Sequence, residues 1–161
     1  MAVAYGQVIG FSAVDLMSAL LLVQFVGFPA TLFYGWLAQR FGNARLIIFG
    51  ILGYIIICLY GSVVDTLTGF YFLAFLIALL QGGLQAQSRA FFADLIPPER
   101  SAQFFGLYNL LGRFAVVIGP LLMGLVGAIS GSLRMGLAAV CILLIAGLFV
   151  FWWRVLPAEV R

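Results

Sequence analysis

Five long apolar runs separated by short polar connections make up most of this chain. The runs are Leu16–Ala38, Leu46–Val64, Phe70–Ser88, Phe104–Ile129 and Met135–Val155. A helix needs about 20 mostly apolar residues to cross roughly 30 Å of hydrocarbon at 1.5 Å per residue, and each run is about that long or longer. The connections contain "QRFGNAR", "DTLTG", "SRAFFADLIPPERSAQ" and "SGSLR" in turn. The pattern predicts an all-α membrane protein of five transmembrane helices, with no linker, low-complexity tract or soluble domain.

The runs differ in kind. The second and fifth contain no charge, Gln or Asn. The first holds Gln24, the third Gln81 and Gln85, and the fourth Tyr108, Asn109 and Arg113. Polar groups left unpaired in hydrocarbon are costly, so helices that carry them should face protein or a watery cavity. The first, third and fourth runs are therefore expected inside a bundle, and the second and fifth against lipid. At 100° per residue, Gln81, Gln85 and Ser88 fall within about 60° of one helix face. Asn109, Arg113, Val116 and Pro120 form a second narrow stripe, flanked by glycines that suit close helix packing. Polar contact between helices explains the glutamines as well as a solute cavity does. Tyr34 and Tyr54 read as packing or interfacial aromatics rather than ligands.

Composition supports the membrane reading and excludes several others. Hydrophobic residues make up 65% of the 161 residues and charged residues 8%, against about 45–50% and about 25% in soluble domains. The net charge of +3 is carried by arginines set singly at the ends of apolar runs, which is how topology is written rather than how nucleic acid is bound. Arg40, Arg45, Arg89, Arg100, Arg154 and Arg161, six of the eight basic residues, fall on one side of the predicted membrane. The positive-inside rule makes that side, and the C-terminus, cytoplasmic. Cys58 and Cys141 lie within apolar runs and frame neither a disulfide scaffold nor a metal site. With no His, no metal-ligating cluster and no Ser or Cys beside a base, an intramembrane enzyme lacks its parts. No cofactor is expected. The start "MAVAYGQVIG" lacks a basic region and a cleavage site, so no signal peptide is expected.

Two connections carry motifs. "GWLAQRFGNAR" places Gly35, Arg40, Gly42 and Arg45 around a tight turn, with Gly27, Thr31 and Gly35 forming a small-residue row before it. "DLIPPERSAQFFG" followed by "GRFAVVIGPLLMG" sets Asp94, Pro97 and Arg100 before a row of glycines ending at Gly119, Pro120 and Gly124. The first resembles the signature loop G-x-x-x-D-R-x-G-x-x-R of the major facilitator superfamily, with Gln39 in place of the usual Asp. The second resembles that superfamily's later loop and the helix after it. The stretch "QGGLQAQSRAFFADLIPPERSAQFFGLYNLLGRFA" is similar to the vacuole effluxer-like branch, the autophagy-linked amino-acid effluxers and their bacterial relatives.

The resemblance implies a permease working by alternating access, often coupled to protons or sodium, that exports amino acids or similar small solutes. It implies that this chain corresponds to the last five of twelve spans: a C-terminal half-bundle without its first helix, with "MAVAYGQVIG" as that helix's tail. The N-terminal half would then be a partner, along with the bilayer and the solute, and the location a bacterial cytoplasmic (inner) membrane. Gln24, Gln81, Gln85, Asn109 and Arg113 are the expected cavity residues. Gly35, Arg40, Gly42, Arg45, Arg89, Asp94 and Arg100 are the expected signature and gating residues, with Arg89, Asp94 and Arg100 exchanging partners in a cytoplasmic latch. Arg113 stands out, because no acid in the five spans lies at its depth and an Arg near the centre of a span costs about 2.5–3.5 kcal/mol. Water, a substrate carboxylate or the other half would be its partner. The alternative is a truncated fragment or scaffold that transports nothing without a separate N-terminal half.

The arginine bias yields a topology prediction. Single cysteines placed by Asn43→Cys and Ser132→Cys should react with an impermeant thiol reagent from opposite faces of the membrane. Reaction of both from the same face contradicts the assignment.

Overall fold

The computed structural model of this chain describes residues 10–131 and 133–154. Its long elements are α1 (Ala13–Phe41), α2 (Asn43–Gly61), α3 (Leu67–Leu95), α4 (Ser101–Ser130) and α5 (Leu133–Arg154), with a single 3-10 turn at Pro98–Arg100. Among the described residues there is no strand, and all five predicted spans are present as helices long and apolar enough to cross a membrane. The protein is an all-α integral membrane protein. The N-terminal stretch read as the tail of a preceding helix, apart from Gly10, and the C-terminal residues from Val155 through Arg161 lie outside the described residues.

Local chemistry sets the helix ends. Ser12 and Asp15 form a reciprocal capping box at the start of α1, in which the Ser12 hydroxyl accepts from the Asp15 N–H at 3.2 Å. Gly42 separates α1 from α2 at φ 82°, a left-handed angle that L side chains rarely adopt, which accounts for a glycine in the tight turn. Thr66 caps α3 by accepting from the Gly69 N–H at 3.2 Å. Pro29 and Pro120 sit inside α1 and α4, where neighbouring groups in membrane helices compensate the lost hydrogen bond.

The expected ends were too tight around one connection. The connection expected over Ser88–Gln103 is largely helical: α3 continues to Leu95 and α4 begins at Ser101. The intervening Arg-Ala-Phe-Phe-Ala-Asp residues are compatible with helix, and helix stops only where Pro97 and Pro98 withdraw their N–H groups. The charges in this stretch do not mark where helix ends.

Packing runs in the order α1, α3, α2, α5, α4. The α1–α3 contact is close because it is built from small residues: Gly27 approaches the Ala78 carbonyl, and Gly82 lies under the Thr31 hydroxyl. Tyr34 packs its ring onto Gly83, and its own hydroxyl is buried without a hydrogen-bond partner. Gly35, expected in the same small-residue row, borders open space instead. Leu16, Ala19, Val64, Phe70 and Ala74 form one apolar cluster, and Ala44, Ile47 and Phe91 another. Cys58 of α2 and Cys141 of α5, both free thiols, meet across the α2–α5 contact.

The burial order corrects one expectation. The span in α2, expected against lipid, is the most buried within this chain, at 33%. Gly50 lets α2 seat tightly on Leu84 of α3, while α4 rests on α5 and leaves most of its surface uncovered. A span with no charge beyond its first turn is free to pack on both sides; a span bearing Asn109 and Arg113 keeps that face open.

The Gly83 contact can be tested directly. A Cβ at this position would collide with Tyr34, so Gly83→Ala should destabilise the fold by about 1–3 kcal/mol. Gly106→Ala, with nothing within 4 Å, should have no such effect. Thermal melting in detergent checks this, and equal behaviour of the two variants contradicts the packing described.

Candidate functional site

Two polar cavities lie along α3. The first, about 380 Å³, opens between α1 and α3 and is bordered by Gln24, Gly27, Thr31, Gln81, Gly82 and Gln85. The second, about 980 Å³, opens between α3 and α4 and is bordered by Gln85, Ser88, Arg89, Tyr108, Asn109 and Arg113. Gln85 belongs to both. Of the five residues expected in a cavity, Gln24, Gln81 and Gln85 border the first and Gln85, Asn109 and Arg113 the second; Gln85 and Ser88 of the α3 stripe and Asn109, Arg113 and Val116 of the α4 stripe meet at the second.

The chemistry of these cavities is that of open hydrogen-bonding groups. Gln24, Gln81, Gln85, Asn109 and Arg113 are exposed, and none hydrogen-bonds to another described residue. The smaller hydroxyls differ. Thr31 donates to the Gly27 carbonyl at 2.7 Å and Ser88 to the Leu84 carbonyl at 2.8 Å, so their protons are already used within their own helices. Three side-chain amides, another from Asn109 and a guanidinium are left to meet whatever enters. Arg113 stands twelve residues after the start of α4 and seventeen before its end, about 18 Å along the helix by rise, so it sits near the middle.

The charged ends of the helices behave less uniformly than the motifs imply. The Asp94 carboxylate accepts from Asn43 Nδ2 at 3.2 Å, tying the end of α3 to the start of α2. Its partner here is thus an amide from the glycine-turn motif rather than Arg100. Arg40 lies over the Trp36 ring at 4.9 Å, a cation–π contact at the end of α1. Arg45 and Arg100 are exposed. Arg89, expected in the loop, is on the helical wall of the larger cavity. Tyr108 stacks on Phe92 with centroids 4.7 Å apart, and Phe105 packs edge-on to both rings, which holds the base of α4 against the end of α3.

Sequence reasoning missed Gln87, which is 5% exposed. It continues the packed stripe of Gly83 and Phe91, four residues apart on the side of α3 away from the cavities. Its spacing from Gly83 was the available signal, overshadowed by the other glutamines.

The turn motif between α1 and α2, the break at Pro97 and Pro98 and the polar cavities have counterparts in known proteins. A family model described as vacuole effluxer Atg22-like matches residues 1–157. The chain belongs to the vacuole effluxer Atg22-like family. It is 36% identical over 150 residues to the uncharacterized MFS-type transporter YxiO of Bacillus subtilis, covering 93% of this chain and 35% of that protein. It is 34% identical over 80 residues to autophagy-related protein 22-1 of Aspergillus terreus, covering 50% of this chain and 13% of the relative. Autophagy-related protein 22 of Cryptococcus neoformans is 35% identical over 75 residues, 47% of this chain and 14% of its own length. The chain thus spans about a third of the bacterial relative and far less of the fungal ones. Membership makes this a chain of a transporter family, which agrees with the non-enzymatic reading of its residues.

Proposed function

We propose that this chain is the cavity-bearing part of a major facilitator secondary transporter that moves a small solute by alternating access. The observation that carries the reading is the position of Gln85, which lines both the α1–α3 and the α3–α4 cavity. Membrane proteins place unpaired amides and arginines where they meet substrate, ions or water, and transporters of this architecture hold their sites near the midplane between two repeats. Arg113 and Asn109 are one helical turn apart on the same face, so both can reach one anionic group of a solute. The family's description as vacuole effluxer-like favours an effluxed solute, and amino acids are one class whose carboxylate would suit Arg113.

In this reading the transporting protein has the length of the bacterial relative, and a second half covers the open face of α4. The Arg40, Arg45, Arg89 and Arg100 side faces the cytoplasm of a bacterial cell, with the C-terminus on that side. The Asn43–Asp94 hydrogen bond is one state of a latch that also includes Arg89 and Arg100 and changes partners as the halves rock.

Substrate counterflow in proteoliposomes of the full-length protein tests the central residue. Arg113→Gln should weaken apparent substrate affinity by at least about tenfold, the loss of one charge-assisted hydrogen bond. Arg113→Lys should weaken it less, because the charge stays and only the two-pronged geometry is lost. Wild-type affinity in Arg113→Gln contradicts the proposal.

A further inference from the structure

Two polar side chains are shut inside the helix packing without a partner. Tyr34 of α1 is 5% exposed, and its hydroxyl is closed off from solvent with no hydrogen bond. Gln87 of α3 is also 5% exposed, and its amide bonds to no described residue. Both are buried by this chain's own helices, so nothing outside them reaches the Tyr34 hydroxyl unless the helices move.

A phenylalanine would fill the place of Tyr34 without the penalty that an unpaired buried polar group carries. On one side Tyr34 borders an apolar groove with Phe49, Gly53, Ile57 and Leu80, whose lining holds no other polar side chain. On the other it lies on Gly83, where a Cβ would overlap its Cβ, Cγ and Cδ2. Gln87 is four residues, about 6 Å, farther along α3 than Gly83. Helical side chains incline toward the start of their helix, which carries the Gln87 amide back toward Gly83. The rest of the α1–α3 line is small: Gly27 on the Ala78 carbonyl and Thr31 on Gly82. No large side chain interlocks the two helices there, so α1 can turn on this line with little to displace.

We propose that the α1–α3 seam has a second arrangement, reached when the Tyr34 phenol swings across Gly83 as α1 turns, in which the hydroxyl of Tyr34 and the amide of Gln87 bond to each other. The packing in this structure is then the arrangement that leaves both unpaired. The pair acts as a bias between two packings of the same helices, and either member alone provides none. The inference goes beyond the transport reading, because it concerns the seam itself and holds for whatever the protein moves.

Pulsed electron paramagnetic resonance on the full-length protein in nanodiscs tests this. Spin labels go on Phe41→Cys, at the end of α1, and Ala93→Cys, near the end of α3, in a cysteine-free background. The pair should show two distance populations, since a turn of α1 carries its label sideways. Tyr34→Phe should shift the balance toward the population that matches this structure by about 5- to 150-fold, the range for one unpaired buried group. Gln87→Leu should shift it equally and the double variant no further, because either change removes the whole pair. A single population in the parent, no shift, a shift the other way or additive shifts overturn the proposal. Thermal melting of the unlabelled protein is the second measurement. Tyr34→Phe should melt no lower than the parent; a lower melting temperature means that the hydroxyl is already paired, which also overturns the proposal.

Discussion

Hydrocarbon offers no hydrogen-bond partner, so a polar side chain at membrane depth must find protein, water or a ligand. In this chain that constraint sorts the helices. Beyond Arg45 in its first turn, α2 is apolar; it is wedged between α3 and α5 and is the most buried span. Gln24, Gln81, Gln85, Asn109 and Arg113 stay on open faces, turned toward two cavities that share Gln85, while Gln87 alone of the α3 glutamines is buried. Packing and polarity are thus divided between opposite sides of α3, with Gly83, Gln87 and Phe91 on one and Gln81, Gln85 and Ser88 on the other.

Small residues make this division possible. With apolar lipid on all sides, burial alone does not drive helices together, and close van der Waals fit has to do so. Gly27 against Ala78, Gly82 beneath Thr31 and Gly83 beneath Tyr34 bring α1 onto α3 closely enough for Gln24 to border the same cavity as Gln81 and Gln85. Elsewhere on the bundle, α1, α2 and α3 form an aliphatic and aromatic groove of about 450 Å³, lined by residues such as Phe33, Phe49, Ile56 and Leu79.

Much of this was legible in the sequence, for reasons that differ by feature. Five spans follow from run length alone, and the paired stripes on α3 and α4 follow from helical periodicity. The glycine turn at Gly42 was legible because its backbone angle favours that residue. The length of α3 was not, since charged residues such as Arg89 and Asp94 do not mark where the helix ends. The burial of α2 was hidden because lipid and protein reward the same apolar side chains. The meeting of Cys58 with Cys141, the Asn43–Asp94 bond and the place of Gln85 in both cavities depend on which helices are neighbours, which periodicity does not encode.

Water must reach both polar cavities if α1, α3 and α4 border a hydrated path. Thiol-reagent accessibility in native membranes measures this most directly, using a background with Cys58→Ala and Cys141→Ala. Single changes Gln24→Cys, Gln85→Cys and Asn109→Cys should react rapidly with a water-soluble methanethiosulfonate, whereas Phe49→Cys and Ile56→Cys, on the apolar groove, should react slowly. Labelling of Gln85→Cys and Asn109→Cys no faster than Ile56→Cys would contradict the account.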